Sequence, residues 1–179
     1  VDPEACTRLK VVDLIRHAQG THNLAEEEAE EGRAYEADEH HEALYREHGR
    51  AYYLLQEVTG DMYLDPPLTA MGRHQADALR SQIAAEVYDV VLLSPMRRCL
   101  ETGALGIPQL RSGAMHGARV LATDLVRERV AVYQSDARLP VSQLSPLYPF
   151  VNFELVEERD VLFEEHKEHG EGGAAKLRQ

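Results

Sequence analysis

The sequence predicts an α/β chain built on a mostly parallel sheet, and three stretches carry that expectation. Val11, Val12, Leu14 and Ile15, broken only by Asp13, form a short apolar run that ends in a polar turn. Tyr88 to Leu93 is a β-branched apolar run that also ends in a polar turn, and Arg119 to Ala122 is a third, shorter run. Short apolar runs bounded by turn signals read as buried strands, the habit of parallel sheets. In α/β folds the chemistry sits where such a strand gives way to the next element.

The first strand end, LIRHAQGTHN from Leu14 to Asn23, concentrates reactive side chains. Arg16 offers a planar fork of donors that fits a phosphate, and the neutral nitrogen of the His17 imidazole can attack phosphorus. Gly20 lets the backbone approach an anion closely, while Thr21 and Asn23 add donors. On the residues alone, the stretch is equally a strand end with a solvated Arg-His pair. It also resembles the signature of the histidine phosphatase superfamily, the phosphoglycerate-mutase-like proteins. Arg16, His17 and Ala18 stand where the family carries Arg-His-Gly, a departure shared by its plant and algal branch, and Asn23 matches the asparagine that closes the motif. The resemblance implies a three-layer α/β sandwich in which His17 becomes phosphorylated while Arg16 and Asn23 hold the phosphoryl oxygens.

Leu24 to Glu57 is dominated by Ala, Glu, Arg, His and Tyr. Glu26, Glu27, Glu28, Glu30 and Glu31 favour helix but supply no apolar face, so solvated helix and disorder both fit. From Leu44 onward, Ala51, Leu55 and Val58 share one stripe, which makes residues 25–58 an acidic, surface-docked helical insertion. His40, His41 and His48 invite a metal reading, but the zinc-protease spacing fails at Tyr45 and a solvated face is preferred. The segment DPPLTAMGRHQADAL, Asp65 to Leu79, starts with two prolines that fix an extended entry. Thr69 then caps a helix whose buried stripe is Ala76, Leu79, Ile83 and Val87. The segment is similar to the family's Asp-x-Pro-Leu-Thr-x-x-Gly-x-x-Gln-Ala pattern, at Asp65, Pro67, Leu68, Thr69, Gly72, Gln75 and Ala76. The resemblance gives it a structural role.

The second strand runs into Ser94, Pro95, Met96, Arg97 and Arg98, a basic turn at a helix start, where free N–H groups favour anions. The stretch resembles the family's Ser-x-x-x-Arg-x-x-x-Thr pattern, which places Arg98 in the phosphate pocket; Arg97 reads as a surface residue. A loop from Ile107 to Gly117 precedes the third strand, and Glu128 follows in a Leu-x-x-Glu context. Phosphoryl transfer from an ester needs a proton for the departing alkoxide, and the resemblance casts Glu128 as that acid. The residues alone also fit a solvated triplet of Arg127, Glu128 and Arg129. Ser135 to Asp160, with Pro140, Pro146 and Pro149, reads as a long irregular excursion anchored by Phe150 and Phe153. Its Arg138 and its Pro-Phe-Val-Asn-Phe-Glu stretch again resemble the plant and algal branch.

Family members carry a second histidine on a late apolar strand ending in His-Gly or His-Ser. His169-Gly170 has the letters, but the charged tract before it is no buried strand. Residues 164–179 therefore read as a flexible acidic tail, a context in which His166 and His169, at metal-ligand spacing, are solvated. The expectation is one phosphoglycerate-mutase-like domain over 1–163, lacking its last strands. A missing strand leaves unpaired backbone groups that a protein partner or a swapped segment would cover. With 19 basic and 31 acidic residues, a formal charge of −12, the chain has no broad basic footprint for nucleic acid or anionic membrane. Its expected ligand is a phosphorylated small molecule met by a few local arginines. No apolar run approaches a membrane span, and there is no signal-peptide pattern. Cys6 and Cys99 lack metal or redox spacing, which points to a reducing intracellular compartment with both as packing residues. Val1 in place of methionine points to a processed product or a fragment, and a removed transit peptide is compatible with it. The expected activity is that of a phosphomonoesterase working through a phosphohistidine without a metal or other cofactor. A mutase and a catalytically silent binding subunit are the alternatives.

Overall fold

Two four-residue strands, β1 (Val90–Leu93) and β2 (Arg119–Ala122), pair in parallel with Val91 opposite Val120 and Leu93 opposite Ala122. They belong to a computed structural model of the chain that describes residues 11–30, 64–112, 118–128, 130 and 134–165. Helix α1 (Thr21–Glu30) precedes the sheet, as does α2 (Ala70–Gln82); α3 (Arg97–Gly106) and the short α4 (Pro108–Ser112) join its strands, and α5 (Val141–Leu144) follows. A parallel pair requires a crossover, and α3 with α4 supplies it.

The sheet is covered on one side. Val91 and Leu93 of β1 are buried while Val90 and Leu92 are exposed. The buried set joins Leu100 of α3, Leu110 of α4, Val120 and Ala122 of β2, and Leu144, Tyr148, Val151 and Phe153 beyond α5 in one apolar cluster. So the described residues form a helical layer over a small parallel sheet, which agrees with the α/β class expected from the sequence. The excursion after residue 134 is irregular as expected. Phe153 anchors it, but Leu144, Tyr148 and Val151 are the other buried anchors, with Phe150 only partly buried.

Helix ends follow local chemistry. Thr69 takes the extended N-cap conformation and its side chain accepts from the Gly72 N–H, leaving one fewer orphan donor. The helix stops at Gln82, so of the expected stripe Ala76 is deeply buried, Leu79 and Ile83 are partly buried, and Val87 lies outside the helix and exposed. Helix α3 starts after Met96, which offers no cap. Its cap comes from afar: the Asp65 carboxylate accepts from the Arg97 N–H at 2.7 Å and from the Leu139 N–H at 2.9 Å. Residues 108–112, read from sequence as loop, form α4 because Pro108 suits the first helical position, where its missing N–H costs nothing.

The first expected strand is not one. Residues 11–19 carry no ladder, and Val11 and Leu14 are 89% and 92% exposed. A strand is made by its neighbours, and no described strand forms a ladder with this segment. It runs beside β1, tied by Tyr88 Oη donating to Asp13 Oδ2 at 2.9 Å and by the Ala18 N–H donating to Thr102 Oγ1 at 3.0 Å. Most of the acidic insertion, with His40, His41 and His48, lies outside the described residues, as do Cys6, Arg129, and His166 and His169 in the tail.

Candidate active site

The turn after residue 15 is built on α2. The Gln19 carbonyl accepts from the Thr69 N–H at 3.0 Å, the Gln19 N–H donates to Gln75 Oε1 at 2.9 Å, and Thr69 Oγ1 donates to Gln19 Oε1 at 2.7 Å. Gly72 permits this approach, since a Cβ there would stand 2.1 Å from the Gln19 oxygen. Thr21 and Asn23, expected to offer donors to an anion, are partly spent inside the turn. The Thr21 N–H donates to the Pro67 carbonyl, and Asn23 Oδ1 accepts from the Gly20 N–H, both at 3.0 Å. Gly20 is buried against the ring of His22.

His17 Nδ1 lies 2.7 Å from the Ala18 carbonyl oxygen. A carbonyl only accepts, so Nδ1 carries the hydrogen and Nε2 keeps its lone pair. That free nitrogen faces Glu128 Oε2 at 4.0 Å, and the same oxygen stands 3.5 Å from Arg98 Nη2. Three of the five residues singled out in the sequence, from three separate segments, therefore meet at one point. Arg98 sits inside the first turn of α3 with its side chain 2% exposed, and its Nη1 donates to the Ser135 carbonyl at 2.8 Å. Its Nε is buried without a partner among the described residues. Arg16 is exposed and makes no ion pair among them, yet its charge, like that of Arg98, acts on both His17 and His22. Asn23 is placed as part of the turn's frame.

Burial holds the His17 imidazole below its ordinary pKa, and the charges of Arg98 and Arg16 push the same way, against the Ala18 hydrogen bond and Glu128. His22, its ring centre 6.1 Å from that of His17, is driven by burial to about 3 and stays neutral. Sequence reasoning passed over it; a buried histidine one residue before Asn23 has no periodic signal of its own.

Glu128 is held by its neighbour. Arg127, far from solvated, has a side chain only 3% exposed that grips Asp160 through both nitrogens, Nη1 to Oδ1 at 2.7 Å and Nη2 to Oδ2 at 2.6 Å, and also reaches Asp124 and the Asp136 carbonyl. Arg138 supports the same knot through the Glu157 and Arg159 carbonyls. Arg97, expected on the surface, is partly buried and leans on Glu101.

The model for branch 1 of the histidine phosphatase superfamily matches residues 44–116, a span that includes Arg98. Two Arabidopsis thaliana proteins share the wider pattern. A phosphoglycerate mutase-like protein is 27% identical over 183 residues, covering 87% of this chain and 58% of its own length. Phosphoglycerate mutase-like protein 1 is 27% identical over 179 residues, covering 86% and 55%. The chain is thus similar to the histidine phosphatase superfamily and to two phosphoglycerate mutase-like proteins. It spans a little over half the length of these relatives. No solved structure matches it. The short parallel sheet with its crossover helix on one face agrees with the α/β class that this similarity implies. No group of three or more metal-ligating side chains occurs among the described residues, and no helix there is long and apolar enough to cross a membrane.

Proposed function

We propose that the chain carries the phosphoryl-transfer site of a phosphomonoesterase acting on a small phosphorylated metabolite. The observation that supports this reading is that His17 Nε2 and Arg98 Nη2 both lie within 4.0 Å of Glu128 Oε2. The Nε2 lone pair attacks phosphorus in line while Arg98, with Arg16 from the rim and the Asn23 amide, neutralises the phosphoryl oxygens. The P–O ester bond breaks as the P–N bond forms, and Glu128 gives its proton to the departing alkoxide. Water, deprotonated by the same carboxylate, then cleaves the phosphohistidine. The scheme requires no metal, because the guanidinium groups supply the positive charge. A mutase differs only in returning the phosphoryl group to bound substrate. The test is hydrolysis of an aryl phosphate by the wild-type chain beside His17→Ala. Loss of activity with trapping of phosphate on His17 supports the reading, and equal rates overturn it.

A second reading, a binding subunit whose sheet is completed by a protein partner, is favoured by the open edge of β1. The Asp89 and Leu93 carbonyls accept from β2 and its continuation, so the backbone groups of Val90 and Leu92 point the other way. They face a hollow of about 180 Å³ between β1 and residues 13–17, lined by Ile15, Val90 and Leu92. The far edge of β2, by contrast, is bonded by Asn152. An extended apolar segment of the partner fits beside β1. In the isolated chain the Val90 and Leu92 amides then exchange hydrogen quickly; protection there overturns this reading.

A further inference from the structure

We infer that Thr102 is a positioning residue for His17, helping to fix the imidazole's tautomer and its separation from Arg98 by anchoring one side of Ala18, whose carbonyl the imidazole bonds. The inference rests on the phosphoryl-transfer reading of the site, but its spectroscopic test does not.

The relay begins at His17 Nδ1, which donates to the Ala18 carbonyl at 2.7 Å. The N–H of Ala18 donates to Thr102 Oγ1 at 3.0 Å, and Thr102 Oγ1 donates to the Arg98 carbonyl at 2.7 Å. Each step has only one direction. An amide N–H cannot accept and a carbonyl cannot donate, so the hydroxyl must accept from Ala18 and give its own hydrogen to Arg98. Thr102 is buried, which removes water as a competitor for either bond. Its bond to the residue four before it is the ordinary back-bond of a helical threonine, and this leaves the oxygen's lone pairs directed away from the helix. The Ala18 amide takes one of them.

The consequence is mechanical. Residues 11–19 have no ladder to hold them, so the peptide after His17 is fixed by side chains. Thr102 fixes the end of that peptide nearest His17. It sets the plane of the His17–Ala18 peptide, while the next plane, which carries the Ala18 carbonyl, is set by the Gln19 N–H donating to Gln75 Oε1 at 2.9 Å. Ala18 is thereby clamped on both sides, and its carbonyl decides which imidazole nitrogen keeps the lone pair. Because the same hydroxyl bonds the carbonyl of Arg98, the nucleophile and the guanidinium are referred to one turn of α3.

Thr102→Val keeps the shape and removes both bonds, whereas Thr102→Ser keeps both bonds and loses only a methyl group. In the valine variant, long-range proton–nitrogen NMR of the His17 ring should show the single Nδ1–H tautomer replaced by a mixture. With the aryl phosphate, kcat should fall about 10–100-fold while KM stays within about threefold, the pattern of a misplaced nucleophile. The serine variant should restore both the ring spectrum and kcat. Should the valine variant not fold, Thr102→Ala carries the same expectation. An unchanged His17 tautomer in the valine or alanine variant overturns the proposal, and so does equal loss in the serine variant. If the wild-type chain hydrolyses nothing, the ring spectra still decide the role of Thr102.

Discussion

At the residue scale, the site depends on an imidazole that stays neutral. Burial and two arginines lower the His17 pKa, while the Ala18 carbonyl and Glu128 oppose them. In the proposed mechanism neutral His17 is the attacking form, so the shift would carry nucleophilicity to lower pH than a free imidazole has. The opposing charges make a signed prediction. Arg98→Gln should raise the titration midpoint of the His17 ring carbon and Glu128→Gln should lower it further, by NMR in the ligand-free chain. Shifts of the reverse signs would mean that neither charge reaches His17 as the geometry requires. His17, Arg98 and Glu128 were legible in the sequence through the family resemblance, since on the residues alone each also fitted a solvated role. Asn23 was legible as a motif residue, but its hydrogen bond to Gly20 was not, nor were the roles of Thr102 and His22. Those depend on where a backbone carbonyl points and on a ring packing against a glycine, and neither leaves a periodic trace in the sequence.

At the scale of elements, the signature turn is shaped more by α2 than by a strand of its own. Gly72 is the pivot: Gly72→Ala would place a methyl 2.1 Å from the Gln19 oxygen, a backbone atom that cannot rotate away. Gly103→Ala, on α3, meets the end of the Leu93 side chain at 2.9 Å, and a leucine methyl can give. The Gly72 variant should therefore lose about 3 kcal/mol in urea unfolding and the Gly103 variant about 1 kcal/mol. Comparable losses would show that the turn is not pressed against α2. Helices α2 and α3 and strands β1 and β2 were readable because apolar spacing is local, whereas α4 and α5 lay in stretches read as loop. The first strand misled because a β-branched run states a preference for extended chain, while pairing is granted by a neighbour, and no described strand supplies a ladder. The cap of α3 could not be read either, since Asp65 reaches it from 32 residues away. The Arg127 to Asp160 pair hides for the same reason: its 33-residue separation gave a charged triplet the look of a solvated one.

At the scale of the whole molecule, buried ionisable groups set how the fold answers to acid, and two of them oppose each other. Asp65, buried and shared between the N–H groups of Arg97 and Leu139, is pushed up by burial to about 6 against those hydrogen bonds. The folded chain therefore takes up this proton before the unfolded chain does. Stability gained through Asp65 accumulates as pH falls from about 6 towards the ordinary aspartate value of 3.8 and amounts to roughly 3 kcal/mol at one pKa unit per 1.36 kcal/mol. His22 runs the other way: with a folded value of about 3 against 6.5, the unfolded chain protonates first, and stability drains as pH falls from 6.5. Its full cost is on the order of 5 kcal/mol. Asp160 enters later, because burial is outweighed by its bonds to Arg127 and Arg138, so its contribution is lost only as pH drops below 3.8. The formal charge of −12 acts almost equally on every single-site variant, so differences between variants isolate the two buried groups. Between pH 6 and 4, urea unfolding should show His22→Phe losing less stability than the wild type, by up to about 3 kcal/mol, and Asp65→Asn losing more, by a similar amount. Parallel curves for all three chains would mean that neither side chain is as enclosed as its contacts require, and with His22 no longer enclosed, the neutral imidazole pair beside Arg98 would be lost with it.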